Sequence, residues 1–233
     1  MSRRAEVTTR RFADETARSV DPSTVLVIAL GSTEQHGPHL PLSTDTVVAE
    51  ALVKALCERD HRFSFGPTLS VGASGEHAGF CGTLSIGTEV LSTVLVELVR
   101  SARDSCQGVY FISGHGGNLE AVQRAILLST SEGDRVGAFF SGVQGGDVHA
   151  GRTETSLMLY LAPHLVVPPF VVGNVRPLAE LMPAIEQGGT VAVSPNGVLG
   201  DPTGATGSEG QQLFAQMSGR LVAHAKNWLG DAS

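Results

Sequence analysis

Apolar and polar positions along the chain change period several times, from short apolar runs to longer stretches with helical spacing. The short runs are rich in β-branched and aromatic residues, which favour strands; they are TVLVIAL at residues 24–30, VYFIS at 109–113 and VGAFF at 136–140. Each run precedes a segment in which apolar residues recur every three or four positions, the period of an α-helix with one buried face. This alternation is typical of βαβ units and predicts an α/β fold with a mostly parallel sheet.

The helical pattern is clearest in five segments: residues 45–59, 89–105, 119–130, 154–161 and 209–228. In the first of them, Val48, Leu52 and Leu56 fall on one face. Two stretches rich in glycine and proline, residues 66–82 and 188–207, are predicted as loops, because Gly and Pro interrupt regular structure. Apolar residues recur within both stretches, so we expect loops that lie over the sheet rather than linkers between domains.

Composition and charge narrow the class of protein. A chain of 233 residues with 42% hydrophobic content is long enough for one well-filled core, so we expect a single domain over residues 1–233. The formal net charge of −7 opposes binding to phosphate backbones, and no nucleic-acid partner is expected. No apolar run approaches the ~20 residues of a membrane span, so we expect a cytoplasmic protein without a membrane partner. The widely spaced Cys57, Cys81 and Cys106 indicate reduced thiols rather than disulfides or a thiolate metal site.

Acidic and imidazole side chains follow two of the predicted strands at the point where each strand ends. Glu34 and His36 come directly after the strand at residues 24–30, and His115 follows the strand at 109–113 within SGHGGN. Because open α/β sheets place their ligand sites beyond the carboxyl ends of parallel strands, we expect these side chains to lie close together. Residues two apart in extended backbone point the same way, so Glu34 and His36 can enter one cleft.

Asp45 begins the next predicted helix and completes a set of oxygen and nitrogen donors without a cysteine. Such a set suits Zn²⁺, Mn²⁺ or Fe²⁺, and it can hold one ion with open positions or two ions bridged by Asp45. A purely structural role for Asp45, as a first-turn acid that favours the helix dipole, stays open. The glycines on both sides of His115 indicate close approach of the backbone to something bound, whereas Asn118 is predicted to cap the following helix.

A third polar segment lies in GDVHAGRTETSLMLYL, where His149 precedes and Glu154 opens a predicted helix. His149 can supply a proton near neutral pH, because the unperturbed pKa of histidine is ~6.5. Glu154 can serve as a further metal ligand or as a general base. The structural alternatives are a loop histidine with satisfied hydrogen bonds and an acid in the first turn of a helix.

Four separated segments resemble signature segments of the creatininase (creatinine amidohydrolase) family, in this order and over nearly the whole chain: GSTEQHGPHLPLSTD, SGHGGN, HAGRTETSLML and GVLGDPTGATGSEG. The family consists of metal-dependent amide hydrolases on an α/β sheet, commonly assembled as homo-oligomers. The resemblance implies a single-domain, three-layer αβα fold and a homo-oligomer for this chain. Matched motif by motif, it implies that Glu34, His36, Asp45 and His115 are metal ligands. It further implies that His149 is the catalytic histidine and that Glu154 is the acid beside it.

The chain departs from creatininase itself at two points. Creatininase has a glutamate two residues after the histidine of the SGHGGN-type segment, where this chain has Gly117, so a second metal is either absent or held by Glu154. The tryptophans that enclose creatinine also look missing, because Trp228 is the only tryptophan. The closer resemblance is to a branch of the family whose peptidases release the modified C-terminal Val-Tyr portion of a small ribosomal precursor peptide.

The expected activity is hydrolysis of a C–N amide or peptide bond with one or two divalent ions per subunit, Zn²⁺ and/or Fe²⁺, with Mn²⁺ as a further option. A divalent ion lowers the pKa of its water from ~15.7 to ~7 and polarises the carbonyl under attack, so no serine or cysteine nucleophile is required. A small peptide is the expected substrate, and a small cyclic amide or a formamide is the alternative. Two other classes stay open: a protein that binds phosphate or a nucleotide at the helix after SGHGGN, and a metal-binding scaffold without catalysis.

Overall fold

The computed structural model describes residues 11–231, and within this range four strands form one sheet flanked by six helices. The strands are β1 (Val25–Leu30), β2 (Phe63–Leu69), β3 (Gly108–Ser113) and β4 (Val136–Phe140). The helices are α1 (Thr44–Arg59), α2 (Gly87–Ala102), α3 (Leu119–Ser131), α4 (Arg152–Leu161), α5 (Leu178–Gly188) and α6 (Gly207–Leu229). The strand order is β2-β1-β3-β4, and every neighbouring pair is parallel.

Side chains of the central strand β1 alternate between the two faces of the sheet, because successive residues of a strand point to opposite sides. Val25, Val27 and Ala29 pack on one face against helices α1, α4 and α6. Leu26 and Ile28 pack on the other face against α2 and α3. Strand β1 is therefore buried on both sides, which explains its continuous apolar sequence. The predicted three-layer αβα fold with a parallel sheet is confirmed.

The predicted strands and helices lie within a few residues of their expected bounds, but two elements are absent from the prediction. Strand β2 includes Gly66 and Pro67, and the prediction of a loop from residue 66 is wrong over the last part of this strand. Because β2 lies at the edge of the sheet, the missing N–H of proline is tolerated there. Helix α5 contains Pro183, which interrupts the sequence pattern of a helix.

The carboxyl ends of the four strands lie side by side and form what we call the carboxyl edge of the sheet. Leu30 of β1 pairs with Leu69 of β2 and with Ser113 of β3, and Ser113 pairs with Phe140 of β4. The segments that follow the strands therefore leave the sheet at the same edge, where parallel α/β folds place their ligand sites.

Helix α6 is 23 residues long and packs against α4, the helix that forms the last part of the third polar segment. Its first turn is capped by Thr206, whose side-chain oxygen accepts a hydrogen bond from the backbone N–H of Glu209 at 3.2 Å. A Cβ on Gly210 would overlap the carbonyl oxygen of Ser156, so glycine lets the two helices approach closely. No helix within residues 11–231 is both long enough and apolar enough to cross a membrane.

Replacing Ile28 with alanine tests whether burial of strand β1 contributes to the stability of the fold. Ile28 has no exposed surface, and its truncation leaves a cavity, so the free energy of unfolding should fall by about 2–5 kcal/mol. Urea denaturation followed by circular dichroism measures the change. The control is Leu127→Ala at a side chain that is 72% exposed on α3, where a change below about 0.5 kcal/mol is expected. Equal losses in the two variants would contradict the burial of β1.

Candidate metal centre

Carboxylate and imidazole side chains meet at the carboxyl edge of the sheet. Glu34 and His36 lie in the segment after β1, Asp45 lies in the first turn of α1, and His115 lies in the turn after β3. All four are buried, with exposed fractions between 0% and 6%. A Cβ on Gly114 would overlap the carbonyl oxygen of Asp45, so this glycine allows the turn after β3 to contact α1. The structure thus brings together the four residues that the sequence predicts as ligands.

Two groups of donor atoms share Asp45. Glu34, Asp45 and His115 form one group, and His36, Asp45 and Glu154 form the other; within each group the candidate ligand atoms lie within 4.8 Å of one another. Asp45 Oδ2 is 3.2 Å from His115 Nδ1, and Asp45 Oδ1 is 3.3 Å from His36 Nε2. One carboxylate oxygen therefore faces each group, which is the arrangement in which a single carboxylate bridges two ions.

The carboxylate of Glu34 lacks the hydrogen bonds that a buried charge requires. Both of its oxygens are buried, and neither has a hydrogen-bond partner among residues 11–231. An unpaired buried carboxylate is strongly unfavourable. Its neighbours are His115 Nε2 at 3.2 Å and His77 Nε2 at 3.4 Å, which face it without hydrogen-bond geometry. A set of carboxylate and imidazole donors around such an oxygen pair fits a divalent cation.

The charges in the site shift one another's protonation. Burial by itself lowers the pKa of His36, but the carboxylates of Asp45, Glu154 and Glu34 together outweigh this effect and raise the pKa to about 9. Burial also opposes the charged form of His115, yet the hydrogen bond to Asp45 helps to raise its pKa well above the usual value. Burial opposes ionisation of Asp45, but His36 and His115 hold its pKa well below the usual range. The buried carboxylates therefore favour a nearby cation, whether a proton or a metal ion.

A strained turn directs His149 and Glu154 into the site. Ala150 between them has a φ of 52°, a left-handed conformation that non-glycine residues rarely adopt. Its N–H donates to Glu154 Oε2 at 2.6 Å. His149 Nδ1 lies 3.8 Å from Glu34 Oε1. Burial raises the pKa of Glu154 to about 7, because the charged carboxylate is poorly solvated there.

His149 is held as a neutral imidazole. Its Nε2 donates to the carbonyl oxygen of Gln35 at 2.8 Å, and since a carbonyl only accepts, Nδ1 is left with a free lone pair. The ring lies between those of His36 and His77, with 4.3 Å between ring centroids on either side. Burial, together with the charge of His36, holds the pKa of His149 well below its usual value. The environment thus differs from the near-neutral titration expected from sequence, and His149 presents an unprotonated Nδ1 to the site.

The amide of Gln35 fixes the orientation of a further histidine. Gln35 Oε1 accepts from the N–H of Gly37 at 2.9 Å, and Nε2 donates to the carbonyl of Gly197 at 3.1 Å. The same Nε2 lies 2.9 Å from His77 Nδ1, which must accept, and 3.0 Å from His149 Nε2, whose proton points to the carbonyl of Gln35. His77 therefore carries its proton on Nε2, the nitrogen that faces Glu34.

Glu76 and His77 are site residues that the sequence analysis does not identify. They belong to a short 3-10 turn, Gly75–His77, in the segment after β2. Glu76 Oε1 lies 3.3 Å from His115 Nε2, and His77 Nε2 lies 3.4 Å from Glu34 Oε1. The sequence pattern does not predict β2, so it could not predict that the turn after β2 lies beside the carboxyl ends of β1 and β3.

Asn118 joins two loops of the site. Its Oδ1 accepts from the N–H of Ala73 at 3.0 Å, and its Nδ2 donates to the carbonyl of Gly31 at 3.0 Å. The side chain makes no capping hydrogen bond to α3, so the predicted cap is wrong. The side-chain amide of Asn118 bonds to backbone groups of two buried loops instead of to the N–H groups at the start of α3.

Comparison with known proteins identifies the family. The family model described as Creatininase: Creatinine amidohydrolase matches residues 6–225. A protein of Mycobacterium ulcerans (strain Agy99) named mycofactocin precursor peptide peptidase is 46% identical over 212 residues, which cover 87% of this chain and 85% of that protein.

Solved structures share the fold. A crystal structure of creatinine amidohydrolase (creatininase) matches with a TM-score of 0.77 and 20% sequence identity, covering 94% of this chain and 98% of that chain. A creatininase variant of Zn-Zn type matches with a TM-score of 0.71 and 21% identity, covering 88% of this chain and 90% of that chain. Since the family model matches nearly the full length, the chain belongs to the creatininase family of metal-dependent amidohydrolases.

Proposed function

We propose that this protein is a metal-dependent peptidase that hydrolyses the mycofactocin precursor peptide and releases its modified C-terminal Val-Tyr portion. The 46% identical relative is named mycofactocin precursor peptide peptidase, which supports this substrate. The observation that carries the proposal is the pair of donor groups that share Asp45 in a member of an amidohydrolase family.

Each donor group is assigned to one ion. Glu34, Asp45 and His115 would hold the first ion, and His36, Asp45 and Glu154 would hold the second. Glu154 thereby supplies a carboxylate for the second ion in a chain that has Gly117 in place of the creatininase glutamate. Zn²⁺ and Fe²⁺ both suit these ligands, and Mn²⁺ suits the carboxylates. The creatininase of Zn-Zn type supports a site for two ions.

The chain's own residues then handle substrate and protons. A bound divalent ion supplies Lewis acidity, polarising the scissile carbonyl and lowering the pKa of a coordinated water from ~15.7 to ~7. His149 acts as a general base: its free Nδ1 accepts a proton when water attacks and returns it to the leaving amide nitrogen. The Nε2–H bond to Gln35 keeps the ring in the required tautomer. The depressed pKa of His149 keeps Nδ1 unprotonated before the reaction.

An apolar cavity beside the donor groups suits a peptide substrate. It has a volume of about 540 Å³, and His115 and Glu154 line one side of it. Leu178, Met182 and Ile185 of α5 line another side. Ligand pockets typically combine an apolar lining with a few polar groups at the reacting end. The cavity therefore supports a substrate with apolar or aromatic side chains next to the cleaved bond.

The position of Trp228 disfavours creatinine as the substrate. It is the only tryptophan of the chain, and its ring packs on Tyr110 with 5.1 Å between centroids. The guanidinium of Arg135 lies over the same ring. No indole is therefore available to enclose a small planar ring at the donor groups.

We also propose that the protein forms a homo-oligomer. The segment between α4 and α5 exposes large apolar side chains, among them Val167 and Val175, with exposed fractions of 59% and 65%. Clustered apolar residues on a surface mark sites of protein association.

Incubation with the precursor peptide tests the proposed reaction. Protein loaded with Zn²⁺ or Fe²⁺ should shorten the peptide by its C-terminal Val-Tyr portion, observed by mass spectrometry. Protein stripped by a chelator should leave the peptide intact, and adding back the ion should restore cleavage. An intact peptide after incubation with each of the loaded forms would contradict the proposal.

Glu34→Gln tests the metal centre apart from the reaction. The substitution removes a buried charge, so the metal-free variant should be at least as stable as the metal-free wild type. Zn²⁺ at about 100 times its Kd stabilises a folded protein by about 2.7 kcal/mol, and the variant should lose most of the corresponding rise in Tm. Differential scanning fluorimetry and elemental analysis measure both effects. The control is Glu97→Gln at a side chain that is 62% exposed; an undiminished zinc response in Glu34→Gln would exclude Glu34 as a ligand.

His149→Ala separates proton transfer from metal binding. The variant should keep its metal content while kcat falls by about 10²–10⁴-fold, since general base catalysis contributes on this scale. His164→Ala at an exposed position is the matched control and should leave kcat unchanged. Loss of metal from His149→Ala would instead make His149 a ligand, in agreement with a third convergent group formed by Glu34, His36 and His149.

A further inference from the structure

We propose that Glu76 is a positioning residue for His115: its carboxylate stabilises the proton on Nε2, which donates to the carbonyl of Ala73, and so directs Nδ1 toward the metal centre. The role rests on the metal centre of the proposed function, but it concerns a residue outside the donor groups.

The surroundings of His115 distinguish its two ring nitrogens. Nε2 lies 3.1 Å from the carbonyl oxygen of Ala73, which only accepts hydrogen bonds, so Nε2 carries a proton. Two carboxylate oxygens also lie near this nitrogen: Glu34 Oε2 at 3.2 Å and Glu76 Oε1 at 3.3 Å. Nδ1 faces Asp45 Oδ2 at 3.2 Å, so either a proton or a metal ion must join these two atoms. With Nε2 already protonated, a metal ion that replaces the proton of Nδ1 makes Nδ1 the ligand atom.

Gly117 makes the approach of Glu76 sterically feasible. A Cβ at this position would lie 2.5 Å from Glu76 Oε1 and 2.5 Å from the carbonyl oxygen of Ala73, and it would also overlap His115 Nε2. The backbone of Gly117 is outside the left-handed region, so close packing and not conformation requires glycine. The turn that carries Glu76 thus occupies the space that a larger side chain at residue 117 would need.

Geometry separates the role of Glu76 from that of a ligand. Among residues 11–231, the three convergent donor groups do not include Glu76. A carboxylate that accepts from the outer N–H of a ligating histidine fixes the ring and raises the basicity of the ligand nitrogen. Ala73, whose carbonyl accepts from Nε2 of His115, is itself fixed by Asn118 through a hydrogen bond of 3.0 Å.

The affinity of the metal-free protein for Zn²⁺ tests this role without reference to catalysis. Competition with a chromophoric chelator should show an affinity about 10–100-fold lower for Glu76→Ala than for the wild type. Glu76→Gln keeps an acceptor oxygen without the charge and should lose less. Glu97→Ala, at an exposed carboxylate of α2, should match the wild type. An unchanged affinity in a folded Glu76→Ala variant would overturn the proposal.

Two spectroscopic measurements distinguish positioning from coordination. The visible spectrum of the Co²⁺-loaded protein should keep its shape in Glu76→Ala, because the ligand atoms are the same; altered bands would make Glu76 a ligand and overturn the assigned role. Nitrogen-15 spectra of the zinc-loaded wild type should show a proton on Nε2 of His115, with its signals identified through His115→Gln. A proton on Nδ1 would also overturn it, and this measurement does not depend on the folding of Glu76→Ala.

The outcomes also separate this role from the proposed function. A wild-type protein that binds no Zn²⁺ would remove the metal centre and, with it, the proposed peptidase. Tight binding by both the wild type and Glu76→Ala would remove only the role of Glu76.

Discussion

The burial of two carboxylates at one edge of a parallel sheet is the constraint on which the site depends. Glu34 and Asp45 are 0% and 3% exposed, and the hydrogen bond that Asp45 Oδ2 receives from Ser32 at 2.7 Å offsets only part of this burial. Charges in such surroundings require opposite charge close by. The histidines contributed by separate loops, and the cation that they can help to bind, meet this requirement. The apolar strands supply no positive charge for these carboxylates, so the loops that follow the strands must supply it.

The glycines of SGHGGN follow from the same packing. Gly114 allows contact with the backbone of Asp45, and Gly117 allows contact with the turn that contains Glu76. Between them, His115 has one ring nitrogen toward Asp45 and the other toward Ala73 and Glu76. The motif therefore combines a donor side chain with two positions at which other segments must approach closely.

Sequence patterns predicted the elements whose signals are local, and missed those that depend on tertiary packing. Strand β1 and the residues Glu34 and His36 were predictable, because a continuous apolar run is followed directly by polar side chains. Strand β2 was missed because Gly66 and Pro67 are tolerated only at a sheet edge, and its absence left Glu76 without a predicted location. The pKa of His149 was not predictable either, since it depends on burial and on neighbours from distant segments.

The packing of Trp228 gives the unmodified chain an internal optical probe. Its indole N–H donates to the carbonyl of Val136 at 3.3 Å, and its ring covers Gly137 near the amino end of β4. The donor groups lie at the opposite, carboxyl edge of the sheet. Indole emission responds to its immediate surroundings. The fluorescence of the single tryptophan therefore changes when α6 detaches from the sheet, and it does not change when Zn²⁺ binds at the distant metal centre. Unfolding of the protein can therefore be measured separately from metal binding in the same sample.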